Sequence, residues 1–500
     1  MKHNIIQTLI LLFCASTTML AVACGDDDKQ EEKSPAPQLL STTPANGTTG
    51  IDNGAVEVAF NYDVNIVCDL TKVTSIGTSG CTLDNVHVSG KSLLMTAAIP
   101  EEGGTVTISI PTGFVMNTQR VAAEGTTLTF SVKSVVNPVP LPADGHETAT
   151  QAVANMGPGW NLGNTLDAWG SYLGYGQSTD KYETCWGQPV ADAHLMKALK
   201  TKGFGAIRVP VTWFQNMDDN GQVREAWMKR VEEVVNYVLD QGMYCILNVH
   251  HDTGAGSQAW LKADNDTYSA VQQRYQSLWT QIANHFKDYS EKLLFEGYNE
   301  MLAGTDPNAQ WTEPKSTASY DAINKFAKLF VETVRATGGG NLYRNLIITT
   351  YSAAHTQRTV QALTIPGDPC GNQSHLAIEV HSYDPWDWVN TYNMTWTSAC
   401  TTELKNMFAL LNTTFIQKGY PVIVGEYGSN GNGEKTINGS STNAQKAEAG
   451  RQAGDMSRLC RKYNAAAFYW MGLIDGKDRA EATFKWTMEQ VADSIVNVYK

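Results

Sequence analysis

Residues 244–252 read YCILNVHHD, a β-prone apolar run that turns polar at its C-terminal end. A strand with neither face in water needs apolar side chains at successive positions, not alternate ones. The stretches on either side, Ala226–Gln241 and Tyr268–Tyr289, carry apolar residues at helical spacing. The same unit recurs outward in both directions. Apolar runs stand at Gly159–Leu162, Ala206–Pro210, Leu293–Tyr298, Leu346–Thr350, Ala377–His381, Val422–Gly425 and Ala466–Trp470. Helical patterns fill the gaps at Ala191–Lys202, Ser319–Thr337, Thr402–Lys418, Asn443–Tyr463 and Phe484–Tyr499, with a short one near Gln357–Leu363. Eight strands, each followed by a helix, predict an α/β fold, a (β/α)8 TIM barrel, over residues 147–500.

Polar residues gather at one end of these strands. Arg208 ends the second, and His250-His251-Asp252 follow the third. Asn299-Glu300 follow the fourth, His381 and Tyr383 close the sixth, Glu426 the seventh and Trp470 the eighth. Barrel enzymes carry their chemistry on that rim. Packing explains any one of these residues, but not six strands that all turn polar or aromatic at the same end. Glu300 and Glu426 follow apolar runs (LLFEGYN and PVIVG) and are expected to converge across the barrel. Two converging carboxylates in an aromatic cleft point to glycoside hydrolysis: one carries a proton for the leaving oxygen, the other attacks the sugar carbon as an anion. No HExxH helix, Cys pair or dense Asp cluster joins His250-His251-Asp252, so no metal is expected. No GxSxG elbow marks a serine nucleophile.

The 500 residues hold 50 Asp plus Glu against 37 Lys plus Arg, a net charge of −13. That argues against a nucleic-acid binder, which needs a basic footprint, and against a surface that seeks anionic lipid. All 13 tryptophans lie between Trp160 and Trp486, whereas residues 24–158 hold only Phe60, Tyr62, Phe114 and Phe130 as aromatics. The chemistry is therefore expected after residue 158. Residues 1–23, a short basic start and an apolar run ending Ala21-Val22-Ala23, read as a secretory signal peptide. Cys24 after small residues, with the acidic run DDDKQEE (26–32), resembles the lipidation site and tether of Bacteroidetes-type surface lipoproteins. A lipid on Cys24 anchoring the chain in the outer membrane is the expectation, with simple cleavage and secretion as the alternative; residues 24–40 form the tether. Residues 41–134 carry short β runs at Val56–Tyr62, Lys72–Ile76, Leu93–Ala97, Thr105–Ile110 and Leu128–Val132 between glycine turns. They predict a small all-β sandwich, and STTPANGTTGIDNGAVEVAFNYDV (41–64) resembles the opening of bacterial Ig-like domains. So few aromatics favour a spacer over a carbohydrate-binding module. Residues 135–146 are a proline-containing linker. Cys68 and Cys81 are one candidate disulfide, Cys370 and Cys400 another, and Cys245 reads as a buried thiol.

Seven pieces arrive in a family's order: GWNLGNTLDAW (159–169), IRVPVTW (207–213), LNVHHD (247–252), FEGYNEM (295–301), VHSYDPW (380–386), VIVGEYG (422–428) and FYWM (468–471). They resemble glycoside hydrolase family 5 of clan A, with wording closest to subfamily 4, which holds endo-β-1,4-glucanases and xyloglucanases. The resemblance implies a retaining double displacement without a cofactor. Its Asn-Glu motif makes Glu300 the acid/base, and its strand-seven Gly-Glu motif makes Glu426 the nucleophile. It implies Asn299 on the sugar 2-hydroxyl, and Arg208 and Tyr383 orienting Glu426. His250 and His381 match the family's histidines; His251 would touch substrate and Trp470 would form the platform at the cleavage point. Trp169, Trp213, Trp260, Trp311, Trp386 and Trp388 are candidates for further subsites, whereas Trp227 and Trp279 read as packing. One departure is Met471-Gly472 after Trp470, where subfamily members often carry Asp or Asn. The expected partner is a β-glucan or xyloglucan polysaccharide, and the expected state a monomer. The alternative from another class is a glycan-binding lipoprotein with a dead barrel, but such a barrel usually loses one carboxylate and both stand here. Mannan and mixed-linkage glucan remain alternative substrates.

Overall fold

The computed structural model describes residues 34–51, 55–99, 104–132, 146–218, 220–304, 311–371, 373–390, 395–429, 437–474 and 484–500. The leader, Cys24, the acidic run and nearly all of the linker lie outside the described residues. Alternation of period two builds the N-terminal part. Strands β1 (Leu39–Thr43), β2 (Ala55–Tyr62), β3 (Ile66–Cys68), β4 (Gly77–Ser79), β5 (Thr82–Ser89), β6 (Ser92–Ala98), β7 (Gly104–Ile110), β8 (Val115–Asn117) and β9 (Thr126–Val132) pair antiparallel. Their sheets run β1-β2-β6-β5, β3-β8 and β4-β7-β9. Alternate side chains of β2, β6, β7 and β9 are buried, as Val58, Phe60 and Tyr62 on β2 and Val106, Ile108 and Ile110 on β7, and these meet in one core against which Leu83, Val86 and Val88 of β5 pack half-buried.

Lys72–Ile76 is not a strand. It falls largely within a 3-10 helix, Leu70–Ser75, whose first turn is capped by Asp69 Oδ1 accepting from the Thr71 N–H at 3.2 Å. A local side-chain to backbone bond prevails there over the β-propensity of Val73, Thr74 and Ile76. β1 begins at Leu39, inside the segment read as tether. Cys68, Cys81, Cys370 and Cys400 are all free thiols, so neither candidate disulfide forms, and Cys245 is buried.

The second part is the barrel. β10 (Gly159–Asn161), β11 (Ala206–Val209), β12 (Tyr244–Asn248), β13 (Leu293–Glu296), β14 (Leu346–Thr349), β15 (Leu376–Ser382), β16 (Val422–Tyr427) and β17 (Ala466–Trp470) close on themselves, all parallel. Helices cover the outside: Ala193–Lys202, Glu225–Leu239, Asn265–His285, Ala318–Ala336, Gln357–Ala362, Ser398–Thr414, Asn443–Tyr463 and Glu489–Val496. Their ends follow local chemistry. Asp192 and Asp264 cap two N-termini, Thr442 and Gln445 form a reciprocal capping box, and Gly203 (φ 119°) stops a helix in the left-handed conformation. The last helix is shorter than the expected 484–499, because Trp486 is held in a bridge to Ile474. Among the described residues no helix is long and apolar enough to cross a membrane.

The barrel interior has two layers. The lower is apolar, with Ile246, Leu294, Ile347, Ile423 and Phe468 closed from below by the helix Ala149–Asn155. The upper, at the C-terminal ends of the strands, is polar and fully buried: Asn161, Arg208, Asn248, Glu296, Thr349 and Glu379. One register shift matters for what lies above. Val380 of β15 pairs with Val424 of β16, but the next residue, His381, pairs with Glu426. Gly425 is the extra residue of a β-bulge, and bulges re-aim side chains beside active sites.

Candidate active site

Arg208 is the hub of the polar layer. It is fully buried, and each of its five N–H groups has an acceptor. Nε and Nη2 donate to the two oxygens of Glu296, both at 2.7 Å. Nη2 also donates to Asn299 Oδ1 at 2.7 Å, and Nη1 to Asn161 Oδ1 at 3.1 Å and Glu426 Oε1 at 3.0 Å. The planar fork therefore fixes side chains from three other strand ends at once. Asn299 spends its amide oxygen on Arg208, so its amino group is what it can offer a ligand.

Glu426 is gripped from a second side by Tyr383, whose hydroxyl donates to Oε2 at 2.9 Å. Glu300, the more exposed carboxylate, accepts from His381 Nδ1 at 2.8 Å. The same nitrogen lies 3.6 Å from Glu426 Oε2, and one oxygen from each glutamate and a nitrogen of His381 all fall within 4.8 Å of one another. Burial pushes the Glu426 carboxyl up; Glu300 adds to this, while His381, Arg208 and Tyr383 work against it. Burial opposes charge on His381 too, but Glu426, Glu300 and Glu379 outweigh it and raise the imidazole to about 10.

His250 and His251 form the neighbouring wall. Asn248 fixes the first. Its amide oxygen accepts from the Val211 N–H at 3.1 Å, so its amino group faces Glu296 Oε1 at 2.8 Å and His250 Nδ1 at 3.0 Å. The proton of a neutral His250 therefore sits on Nε2, which lies 3.8 Å from Glu426 Oε1. Burial, His251, Arg208 and His381 all hold the His250 pKa well below the ordinary imidazole value. His251 Nδ1 donates to the Asp167 carbonyl at 2.9 Å, and its ring meets His250 edge-on at 4.5 Å. Trp470 stacks parallel to His250, with centroids 5.8 Å apart and planes 8° apart. Asp252 does not line the reacting centre. It anchors the wall from behind, accepting from the Trp213 N–H at 2.8 Å and Trp260 Nε1 at 2.6 Å, with burial raising its carboxyl to about 6.

Among the described residues two groups have metal-ligand types close together, Asp167 with His250 and His251, and Glu300 with His381 and Glu426. In each, an imidazole Nδ1 is committed as a donor, to the Asp167 carbonyl and to Glu300, and so presents a proton rather than a lone pair.

All nine residues predicted from the sequence lie in this constellation. The predicted tryptophans divide. Trp213 is fully buried and Trp388 nearly so, so these two are packing, as are Trp227 and Trp279. Trp311 and Trp386 are 46% and 51% exposed and stay available as contact surface. Sequence reasoning passed over Trp186, 38% exposed, which donates Nε1 to the Trp169 carbonyl at 2.7 Å and packs 5.1 Å from His251. It also passed over Glu296 and Glu379. Their signal was in plain view: single charged residues inside the apolar runs LLFE and AIEV.

The cellulase model of glycosyl hydrolase family 5 matches residues 171–472. Endoglucanase A of Clostridium longisporum is 33% identical over 394 residues, covering 75% of this chain and 71% of its own. A family 5 enzyme from Prevotella bryantii B14 is 44% identical with a TM-score of 0.68, over 72% of this chain and 100% of that one. A glutamate-to-alanine mutant of that enzyme, with the xyloglucan tetradecasaccharide XXXGXXXG bound, gives 45% identity and a TM-score of 0.67 over 71% of this chain and 99% of that one. A closed parallel barrel with two adjacent glutamates on its C-terminal rim, matched over this length, belongs to glycoside hydrolase family 5: the chain is a member of that cellulase family and a glycoside hydrolase acting on β-glucans.

Proposed function

We propose that the protein is a retaining endo-hydrolase of β-1,4-linked glucan, cellulose-type or xyloglucan, held by lipid on Cys24 at the outer membrane with its barrel facing outward. The observation that carries the reaction is the approach of Glu300 and Glu426, whose facing oxygens come within 4.8 Å. Retaining enzymes hold their carboxyl groups about 5–5.5 Å apart, and inverting ones about 6.5–9.5 Å, to seat a water.

In the first step a Glu426 oxygen bonds to the anomeric carbon while the bond to the leaving oxygen breaks, and Glu300 gives that oxygen its proton. In the second, Glu300 takes a proton from water, the water oxygen bonds to the same carbon, and the Glu426 carboxylate leaves. Two inversions give retention. Arg208 and Tyr383, each donating to Glu426, favour its anion and aim it. Asn299 turns its amino group to the sugar 2-hydroxyl, and Trp470 backed by His250 forms a flat platform under the ring. Xyloglucan as a substrate is supported by the oligosaccharide bound to the Prevotella relative and by a 35% identical xyloglucan-specific endo-β-1,4-glucanase of Bacteroides ovatus. The acidic composition after Cys24 supports the anchored placement, because a charge-rich segment suits a solvated tether.

Azide separates the two roles. With an aryl cellobioside bearing an activated leaving group, Glu300→Ala still forms the glycosyl-enzyme, since that group needs no proton. Added azide then speeds turnover and yields the β-glycosyl azide, while Glu426→Ala stays inactive. An α-azide, or rescue of Glu426→Ala alone, refutes the assignment. Reducing-sugar release from xyloglucan, carboxymethylcellulose, mixed-linkage glucan and mannan ranks the substrates.

A further inference from the structure

Glu379 does no chemistry in the scheme above, yet the site is built around it. It is fully buried on β15, two residues before His381. Its Oε2 accepts from Thr349 Oγ1 of β14 at 2.8 Å. Its Oε1 faces His381 Nε2 at 3.3 Å and Arg208 Nε at 3.3 Å. The space for that oxygen comes from the bulge: a Cβ placed on Gly425 would stand 1.7 Å from Glu379 Oε1, so only glycine can precede Glu426 while this carboxylate stays where it is.

We infer that Glu379 is a positioning residue: its carboxylate is the fixed counter-ion that keeps His381 doubly protonated, so that one imidazolium holds Glu300 through Nδ1 and faces Glu426 at the same time. The inference rests on the roles proposed for those two glutamates. A neutral histidine has one N–H to share among three carboxylates, whereas an imidazolium has two, one for Glu379 below and one for the reacting pair above. The charged groups around His381 are Glu300 from β13's end, Glu426 on β16, Arg208 on β11, and Glu379 and the Tyr383 hydroxyl from its own chain segment; His250 faces it from β12's end. Around Glu379 stand Arg208, His381, Glu296 and the Tyr298 hydroxyl. Burial raises Glu296 to about 7, with Arg208 opposing and Glu379 adding, whereas Glu379 itself is held low against burial by Arg208 and His381. Of the two buried carboxylates, Glu379 is the one that faces His381, at 3.3 Å, whereas Glu296 is taken up by the Arg208 fork and Asn248.

Glu379→Gln keeps the shape and the Thr349 bond and removes the charge. Imidazole nitrogen shifts, assigned by their loss in His381→Gln, should show the native ring doubly protonated at about pH 8 and the Glu379→Gln ring losing its proton at about pH 7 or below. The kcat on polymer should then fall by about tenfold or more near pH 8 and far less near pH 5, where the ring is charged again. A merely structural role would lower kcat equally at both. A native ring already neutral at about pH 8, an unmoved titration in Glu379→Gln, or a pH-independent loss overturns the inference. If the variant does not fold, the native titration still tests the premise, since a ring neutral at about pH 8 overturns it. The ring titration does not depend on which glutamate attacks, and azide rescue does not depend on Glu379, so the two readings fail separately.

Discussion

Gly163→Ala is the sharpest test of the platform assigned to Trp470. Gly163 follows β10, and its φ is not in the positive region, so alanine adopts its backbone conformation without strain. The whole effect must come from one methyl group. Built on Gly163, a Cβ would stand 2.8, 2.9 and 3.1 Å from Cζ2, Cη2 and Cε2 of the Trp470 indole. Carbon atoms prefer about 3.5–4.0 Å, so the ring must withdraw by roughly 0.5–1 Å. His250, parallel to it and buried, limits retreat on its side.

The cost divides between stability and rate. Forcing a methyl into a filled contact costs about 1–3 kcal/mol of folding free energy. Shifting a surface that orients the reacting sugar by about 1 Å costs on the order of 100-fold in rate, or about 2.7 kcal/mol. The kcat/KM should fall by that order on both polymer and an activated aryl cellobioside, because the sugar at the cleavage point is common to both. Denaturant midpoints measure the stability part separately. Native kcat/KM on both substrates, with a folded variant, would refute the view that Gly163 sets the plane of Trp470 and that this plane matters to the reaction.

The reaction needs Glu426 as an anion, and burial, Glu300 included, moves its carboxyl up. Activity should therefore be lost as pH falls through a value above the ordinary glutamate figure of about 4.3, and a kcat/KM acid limb at or below it contradicts this. Glu183, fully buried, accepts from Arg230 Nε at 2.9 Å and Nη2 at 2.8 Å. Glu183→Ala leaves Arg230 only the part-exposed Glu233, 2.6 Å from Nη1, and the Ala191 carbonyl, and should cost about 1–3 kcal/mol by urea unfolding, with Arg230→Met added to it restoring part; a loss under about 1 kcal/mol would show that the pair is not the clamp on the segment carrying Trp186. Cys24→Ala should move the enzyme out of the membrane fraction, and unchanged fractionation and protease access on whole cells would count against the lipid anchor.

The barrel was legible because each of its strands is covered on both faces, so its apolar run stands out and its first polar residue marks the rim. That same habit hid Glu296 and Glu379. Both lie one layer below the rim, inside runs read as apolar, and a single sequence does not say that Arg208 from another strand meets them. Lys72–Ile76 misled for the opposite reason. Its composition favours a strand, and the cap at Asp69 that decides otherwise is one side-chain bond. Trp213 and Trp388 read like Trp311 and Trp386 in the sequence, since an indole packs as readily under a rim as above it. The dipeptide Gly425-Glu426 was read for its glutamate. Its glycine, which makes the bulge and admits Glu379, carries as much of the geometry.

Why the site sits on strand ends rather than in the long loops follows from its charges. Arg208 and the His381 imidazolium are buried among Glu296, Glu379 and Glu426. Each buried ion costs several kcal/mol of desolvation even after relaxation, and regains it only where every partner is in place. A loop that shifted by an ångström would break one of those bonds and leave an unpaired buried charge. The parallel barrel removes that freedom. Asn161, Arg208, Glu296, Glu379 and Glu426 come from five different strands, and the registers Asn161–Arg208, Asn248–Glu296 and Thr349–Glu379 hold their backbones level. The lower apolar layer and the helices supply the stability that such a charged layer consumes. The exposed aromatic surfaces, Trp186, Trp311 and Trp386, lie outside this layer and carry no buried charge. They are therefore open to substitution at little cost in stability, whereas the charged layer is not.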